Sequence, residues 1–208
     1  MLKEEIVKAV LVAYYWLLVF TILYVLGARL LGSFIESLLI TAALIVGVKT
    51  RVRLVDNVWF LPGGFLVPLF FSIEVIIRSG LLLSLERLVV FMIALLIGGL
   101  GVYLLSSIHS RGVYVDFLLS IIYLSSLGTL VSNPLSSDLY GTYALMYPLT
   151  LFSLLLGLET RAFMGRNRGY SIVIGGDGLL DALVLIPITT PPLTVGLTLL
   201  FQFLESVG

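Results

Sequence analysis

The 208-residue sequence contains no cysteine. That excludes disulfides, thiol nucleophiles and cysteine-ligated metals. Histidine occurs once, as His109. A metal cluster needs several ligands, so no metal site is expected. Charge is scarce too: only 12% of residues are charged, about half the roughly 25% of a soluble domain. The 12 basic and 12 acidic residues cancel to a net charge of zero. No long block of like charge occurs, so there is no nucleic-acid footprint and no nucleic-acid partner is expected. There is no phosphate-binding loop, nucleophile elbow or zinc-protease motif, and hence no cofactor is expected.

What fills the chain instead is apolar. Hydrophobic residues make up 60% of it, and the mean hydropathy is +1.16. The apolar residues come in runs near the ~20 residues that cross a bilayer. The first run, from Ile6 onward, exceeds a signal-peptide core and is not followed by a small-x-small cleavage site, so it reads as a retained span. Nearly every residue is used in spans. The expectation is one polytopic domain over 1–208, an all-α integral membrane bundle of about seven transmembrane helices, with the lipid bilayer as its first partner.

The spans read as follows. The first runs from about Val10 to Gly27, closed by Arg29. The second covers Gly32 to Val48 with Glu36 embedded. A basic, β-branched stretch, Lys49 to Arg53, follows. The third begins near Trp59, is broken by Leu61-Pro62-Gly63-Gly64 and by Pro68, and carries Glu74 ahead of Arg78. The fourth, Leu88 to Ser107, holds Gly98, Gly99 and Gly101, which permit close helix contact. The fifth, Val113 to Val131, has Asp116 near its start. A turn is expected over Ser132 to Asp138, rich in turn formers. The sixth runs from Tyr140 to Leu158. The last opens with Gly175-Gly176-Asp177-Gly178, contains Asp181, and is broken by Pro187 and by Pro191-Pro192. Those prolines allow either a kinked span or a re-entrant hairpin.

Basic residues orient this topology. With seven spans and the N-terminus inside, Lys3, Lys8, Lys49, Arg51, Arg53, Arg111, Arg161, Arg166 and Arg168 lie inside, and Arg29, Arg78 and Arg87 outside. That is nine of the 12 against three. The positive-inside rule expects such a bias, which places the chain in a cell membrane with a cytoplasmic N-terminus.

Intramembrane carboxylates are the candidates for chemistry, because a charge at mid-membrane costs at least ~2.5 kcal/mol. Glu74 precedes Arg78 by four residues, the spacing of a helical ion pair. Glu36 lies shallow enough to snorkel or to pair with Arg29. Asp177 and Asp181 are four apart and share a face on a helix. They suit either a proton or cation site or a helix cap and first-turn acid. Glycines around Asp177 allow an unusual backbone there. Asp116 is either solvated at the inner surface or one half of a carboxylate dyad with Asp177 or Asp181, the acid/base device of aspartic proteases. Proline in a membrane helix frees a backbone carbonyl, and transporters use such broken helices to coordinate ions. Tyr140, Tyr143 and Tyr147, at helical spacing, read as an interface belt or packing face.

Three segments carry a resemblance. Phe60 to Pro68 is similar to an N-x-G-G-x-x-I-P stretch, Tyr123 to Val131 to Y-x-S-G-x-L-G-T-L-I, and Ile174 to Asp181 to I-G-G-A-G-x-x-D-G-I-F-L. In that order they resemble a family of prokaryotic polytopic membrane proteins of unknown function, with GTLIGAD-like and GGAGxxDGIFL-like motifs. The resemblance implies that the family's aspartate falls on Asp181, whereas Asp177 replaces a small residue. The family's acid after G-T-L-I is missing, since this chain reads Ser132-Asn133-Pro134 there. A weaker similarity is to presenilin-type aspartyl proteases, through Asp116, Gly176-Asp177 and Pro191-Pro192. Against it, Val115 separates Tyr114 from Asp116, Ile174 stands where glycine is expected, and no P-A-L triplet occurs.

Three functions follow. The first is a transporter- or permease-like protein binding a proton or cation at Asp177 and Asp181, with Glu36 and Glu74 as further ion-binding candidates. The second is an intramembrane aspartyl protease using Asp116 with Asp177 or Asp181 as catalytic pair. The third is a non-catalytic subunit or scaffold with a membrane-protein partner.

Overall fold

The structure, a computed structural model, describes residues 52–55, 58–60, 62–109, 112–135, 139–165, 172–174 and 182–207. All of them fall in the compact unit spanning 43–208. The first two expected spans, with Glu36, lie outside the described residues.

Five helices are described: α1 (Pro62–Arg78), α2 (Leu85–Leu105), α3 (Phe117–Leu135), α4 (Leu139–Gly165) and α5 (Ala182–Val207). They match the third to seventh expected spans. Four of them contain stretches long and apolar enough to cross a membrane: α2, α3, residues Gly141–Met164 of α4 and Leu185–Ser206 of α5. The expected helical bundle and its membrane character hold at this level. With 17 residues, α1 reaches about 25 Å at 1.5 Å per residue, short of a ~30 Å core.

Two expectations about prolines are corrected. The third and last spans are not broken. Pro62 opens α1, where its missing N–H would be unpaired in any case, and the helix continues through Pro68. Likewise α5 runs for 26 residues through Pro187, Pro191 and Pro192, so the re-entrant hairpin is excluded. A proline removes one N–H per site and not the whole ladder, so the remaining hydrogen bonds carry the helix through. The turn expected from Ser132 begins later, because α3 carries Pro134 within its final turn and ends at Leu135.

The second difference is a little β-structure. Strands β1 (Val52–Val55) and β2 (Val58–Phe60) pair antiparallel, and β2 pairs in parallel with β5 (Ile172–Ile174). Strands β3 (Ser106–His109) and β4 (Gly112–Val115) form a hairpin between α2 and α3. These strands precede α1, follow α2, precede α3, follow α4 and precede α5. In a bundle of alternating helices that puts both sheets at one end, the strand end, and β4 adjoins β5. The β-branched stretch after Lys49 was legible as sequence, but a pairing with residues 172–174, more than a hundred positions away, was not.

Parallel pairs interleave within the bundle. On α2 and α4, Gly98 meets Ser153 and Gly99 meets Leu156. On α3 and α5, Ser125 meets Thr190. Ser125 and Thr190 each lie eight residues into their helix (125 − 117 and 190 − 182), so α3 and α5 start level. Beyond those positions α3 has ten residues left and α5 has seventeen. The seven-residue excess is about 10 Å at 1.5 Å per residue. Residues 199–206 are accordingly exposed on every side.

Two apolar clusters fill the interior. Val102, Ile121, Leu124, Leu151, Leu154, Leu183 and Ile186 lie toward the strand end. Leu81, Phe91, Ala94, Leu135, Leu145, Met146 and Leu149 lie toward the far end. The outward face of α2 is apolar along its length, with Leu85, Val89, Met92, Leu96, Leu100 and Leu104 all exposed. Such a stripe is unfavourable in water and suits hydrocarbon.

Candidate functional site

Asp116 caps α3. Its Oδ1 accepts a hydrogen bond from the Leu119 amide at 3.0 Å. Its carbonyl accepts from Ser120 N at 3.0 Å, and its own amide donates to Leu105 O at 3.1 Å. A carboxylate ahead of the first turn satisfies an otherwise orphaned amide and faces the positive end of the helix dipole. The residue is exposed at the strand end, so hydration and the cap account for its charge.

Glu74 is engaged by its own helix. Its Oε1 accepts from Arg78 Nε at 2.5 Å, and both side chains are 39% exposed. The spacing reading of this pair holds. An exposed pair of this type contributes only ~0.3–0.5 kcal/mol. Asp177 and Asp181 lie outside the described residues, and α5 begins at Ala182, the next residue in the chain.

The polar feature that the bundle does bring together is a seam of hydroxyls between α3 and α5. Thr190, Thr194 and Thr198 recur at every fourth position, so they share one face of α5. Each is buried. Each donates to the carbonyl one turn back: Thr190 to Ile186 O at 2.8 Å, Thr194 to Thr190 O at 3.0 Å, Thr198 to Thr194 O at 2.9 Å. Opposite them, Ser125 Oγ donates to Thr190 O at 3.4 Å, and Thr129 Oγ1 to Ser125 O at 2.9 Å. Gly128 lets the helices approach, since a Cβ there would lie 2.9 Å from Thr194 Oγ1.

The prolines add acceptors to this helix. Without N–H groups at Pro187, Pro191 and Pro192, the carbonyls of Leu183, Pro187 and Ile188 lose their usual helical donor. The seam therefore collects neutral oxygen donors. Apart from Tyr147, the buried hydroxyl-bearing side chains among the described residues are all serine or threonine. The Oγ atoms of Ser72 and Ser120 are buried with no hydrogen-bond partner, Ser120 lying one turn inside the cap of α3. Hydroxyl and carbonyl oxygens can coordinate a dehydrated cation or ordered water, but they supply no titrating group of their own.

Acids and prolines stand out in the sequence, whereas this seam does not. Its signal was present: hydroxyls at 190, 194 and 198, and at 125, 129 and 132. The reading of Tyr147 as a packing residue holds. It is buried, with its ring edge-on to Phe71 at 4.9 Å and 89°. No group of three His, Cys, Asp or Glu side chains suited to a metal occurs among the described residues. Compared with known proteins, the chain matches no family model, no curated protein and no solved structure.

Proposed function

We propose that this chain is a permease-like protein of the cell membrane, with about seven spans and a cytoplasmic N-terminus, that moves a proton or small cation along the α3–α5 seam. In this reading the strand end faces the cytoplasm, and Asp177 and Asp181 are the acids that load the seam. The observation that supports it most is the coincidence on α5 of three prolines with buried Thr190, Thr194 and Thr198, of which Thr190 and Thr194 meet Ser125 and Thr194 meets Gly128. Although α5 is unbroken, hydroxyl and carbonyl oxygens gathered in this way at mid-bundle are neutral oxygen ligands of the kind that coordinate ions in transporters. The resemblance to the uncharacterised family of prokaryotic membrane proteins adds Asp181 as the shared acid.

The test is flux in proteoliposomes under an imposed pH or cation gradient. Asp181→Asn and Thr194→Val are each expected to lower it by about tenfold, the size of one lost coordination contact of ~1.4 kcal/mol. Flux indistinguishable from empty liposomes for the wild-type chain, or equal in all three proteins, overturns the reading.

The aspartyl protease reading retains one supporting observation. Neighbouring parallel helices α3 and α5 start level, and each is immediately preceded in sequence by an aspartate, Asp116 and Asp181. Cleavage of a membrane-embedded peptide that vanishes in both Asp116→Asn and Asp181→Asn would favour it over transport.

A further inference from the structure

We infer that the surface where α2 and α4 meet at the strand end is a binding site for an anionic phospholipid, with Arg161 holding the headgroup phosphate. Arg161 lies four residues from the end of α4, or about 6 Å along the axis, the depth at which a headgroup meets hydrocarbon. Its guanidinium sits over the ring of Tyr103 on α2, 4.8 Å from the centroid. Tyr103 is itself held by a hydrogen bond from its hydroxyl to Met164 Sδ at 3.2 Å. The stack fixes a planar, permanently charged group in one orientation, so little entropy is lost when it grips a phosphate.

No carboxylate neutralises this cation among the described residues. Its Nε is buried with no hydrogen-bond partner, so no protein acceptor holds that edge of the guanidinium. Glu159, two positions away on the same helix, points to a different face. On the hydrocarbon side of the arginine the surface is apolar: Leu100, one turn before Tyr103 on α2, and Leu156 of α4, packed on Gly99, are exposed. A fixed, unpaired cation above an exposed apolar surface complements a phosphate joined to acyl chains. A free phosphate would satisfy the arginine and leave the apolar part uncovered. A basic pocket between transmembrane helices is a recognised mode of lipid-headgroup binding. Lipid binding at Arg161 does not depend on transport by the chain.

The experiment is thermal unfolding of the purified full chain in mild detergent, titrated with phosphatidylglycerol or phosphatidylcholine, since a ligand of the folded state raises the midpoint. Phosphatidylglycerol is expected to half-saturate at about fivefold lower concentration than phosphatidylcholine, the scale of one basic residue against an anionic headgroup. Arg161→Gln removes that preference, and Arg87→Gln, at the far end, keeps it. Equal stabilisation of the wild-type chain by both lipids overturns the proposal, even if Arg161→Gln fails to fold. So does full retention of the preference in Arg161→Gln. Inorganic phosphate stabilising the wild-type chain as well as phosphatidylglycerol does would show an anion site without lipid, and would also overturn it.

Discussion

The carbonyl oxygen of Gly99 on α2 faces Gly157 on α4 so closely that a Cβ on Gly157 would lie 2.6 Å from it, and 2.7 Å from Val102 Cβ. Backbone packs on backbone at this crossing. Without a hydrophobic drive between helices in lipid, van der Waals contact of this kind supplies much of the association energy. Gly157→Ala is expected to destabilise the bundle by about 1–3 kcal/mol, the cost of overpacking against atoms that cannot move aside. The control is Gly196→Ala on α5, where an added Cβ meets nothing within 4 Å. That change should be neutral or stabilising by up to ~1 kcal/mol through helix propensity. Unfolding midpoints in detergent compare the two, and equal effects would refute the close crossing.

Asp116 offers a test of the cap. Replacing it by alanine leaves the Leu119 amide without its side-chain acceptor and should cost about 1 kcal/mol, whereas Asp116→Asn should cost little, because asparagine also caps. Unfolding measurements check the stability effect. A peptide-cleavage assay on the same proteins separates roles: a pure cap predicts no change in Asp116→Asn, and a catalytic acid predicts complete loss.

The hydroxyl seam predicts a division between stability and flux. Thr194→Val keeps the shape of the side chain and removes its hydrogen bonds to Thr190 O and Ser125 O. Interhelical hydrogen bonds in membranes average about 0.6 kcal/mol, so the unfolding midpoint should barely move. Ion flux should fall about tenfold, one coordination contact of ~1.4 kcal/mol. A large loss of stability with unchanged flux would make the seam structural only.

Pro192→Ala tests whether α5 is a continuous helix. Pro192 is exposed, so its removal leaves no internal cavity. The new N–H can bond the Ile188 carbonyl. Stability should hold or rise by a few tenths of a kcal/mol, since helix propensity favours alanine. A marked destabilisation would indicate that the proline defines a bend the bundle requires.

Glu74→Gln and Arg78→Gln should each change stability by less than about 0.5 kcal/mol, as expected of a pair this exposed. A loss of flux in Glu74→Gln without a matching loss in Arg78→Gln would instead return Glu74 to the list of ion-binding groups.

Much of this protein was legible from residue type and spacing alone. The length and apolarity of the runs placed α2 and α3 within about four residues, whereas α4 ends seven residues after the expected Leu158 and α5 begins seven after Gly175, because a bilayer sets the length of what crosses it but not where a helix extends beyond it. The i,i+4 spacing of Glu74 and Arg78 specified an ion pair within one helix turn, and Gly98, Gly99 and Gly101 marked a close contact, since both signals are local. The sequence could not say which helix those glycines would meet, nor that Ser125 would face Thr190, nor that Arg161 would stack on Tyr103. Those are relations between residues distant in the chain, from 22 positions for Gly101 and Tyr123 (123 − 101) to 65 for Ser125 and Thr190 (190 − 125), decided by how helices pack and not by their own periodicity. The prolines show the same boundary. Their effect on local hydrogen bonding was readable, but whether α5 continues through them depended on the neighbouring helices packed against it, which only the assembled bundle supplies.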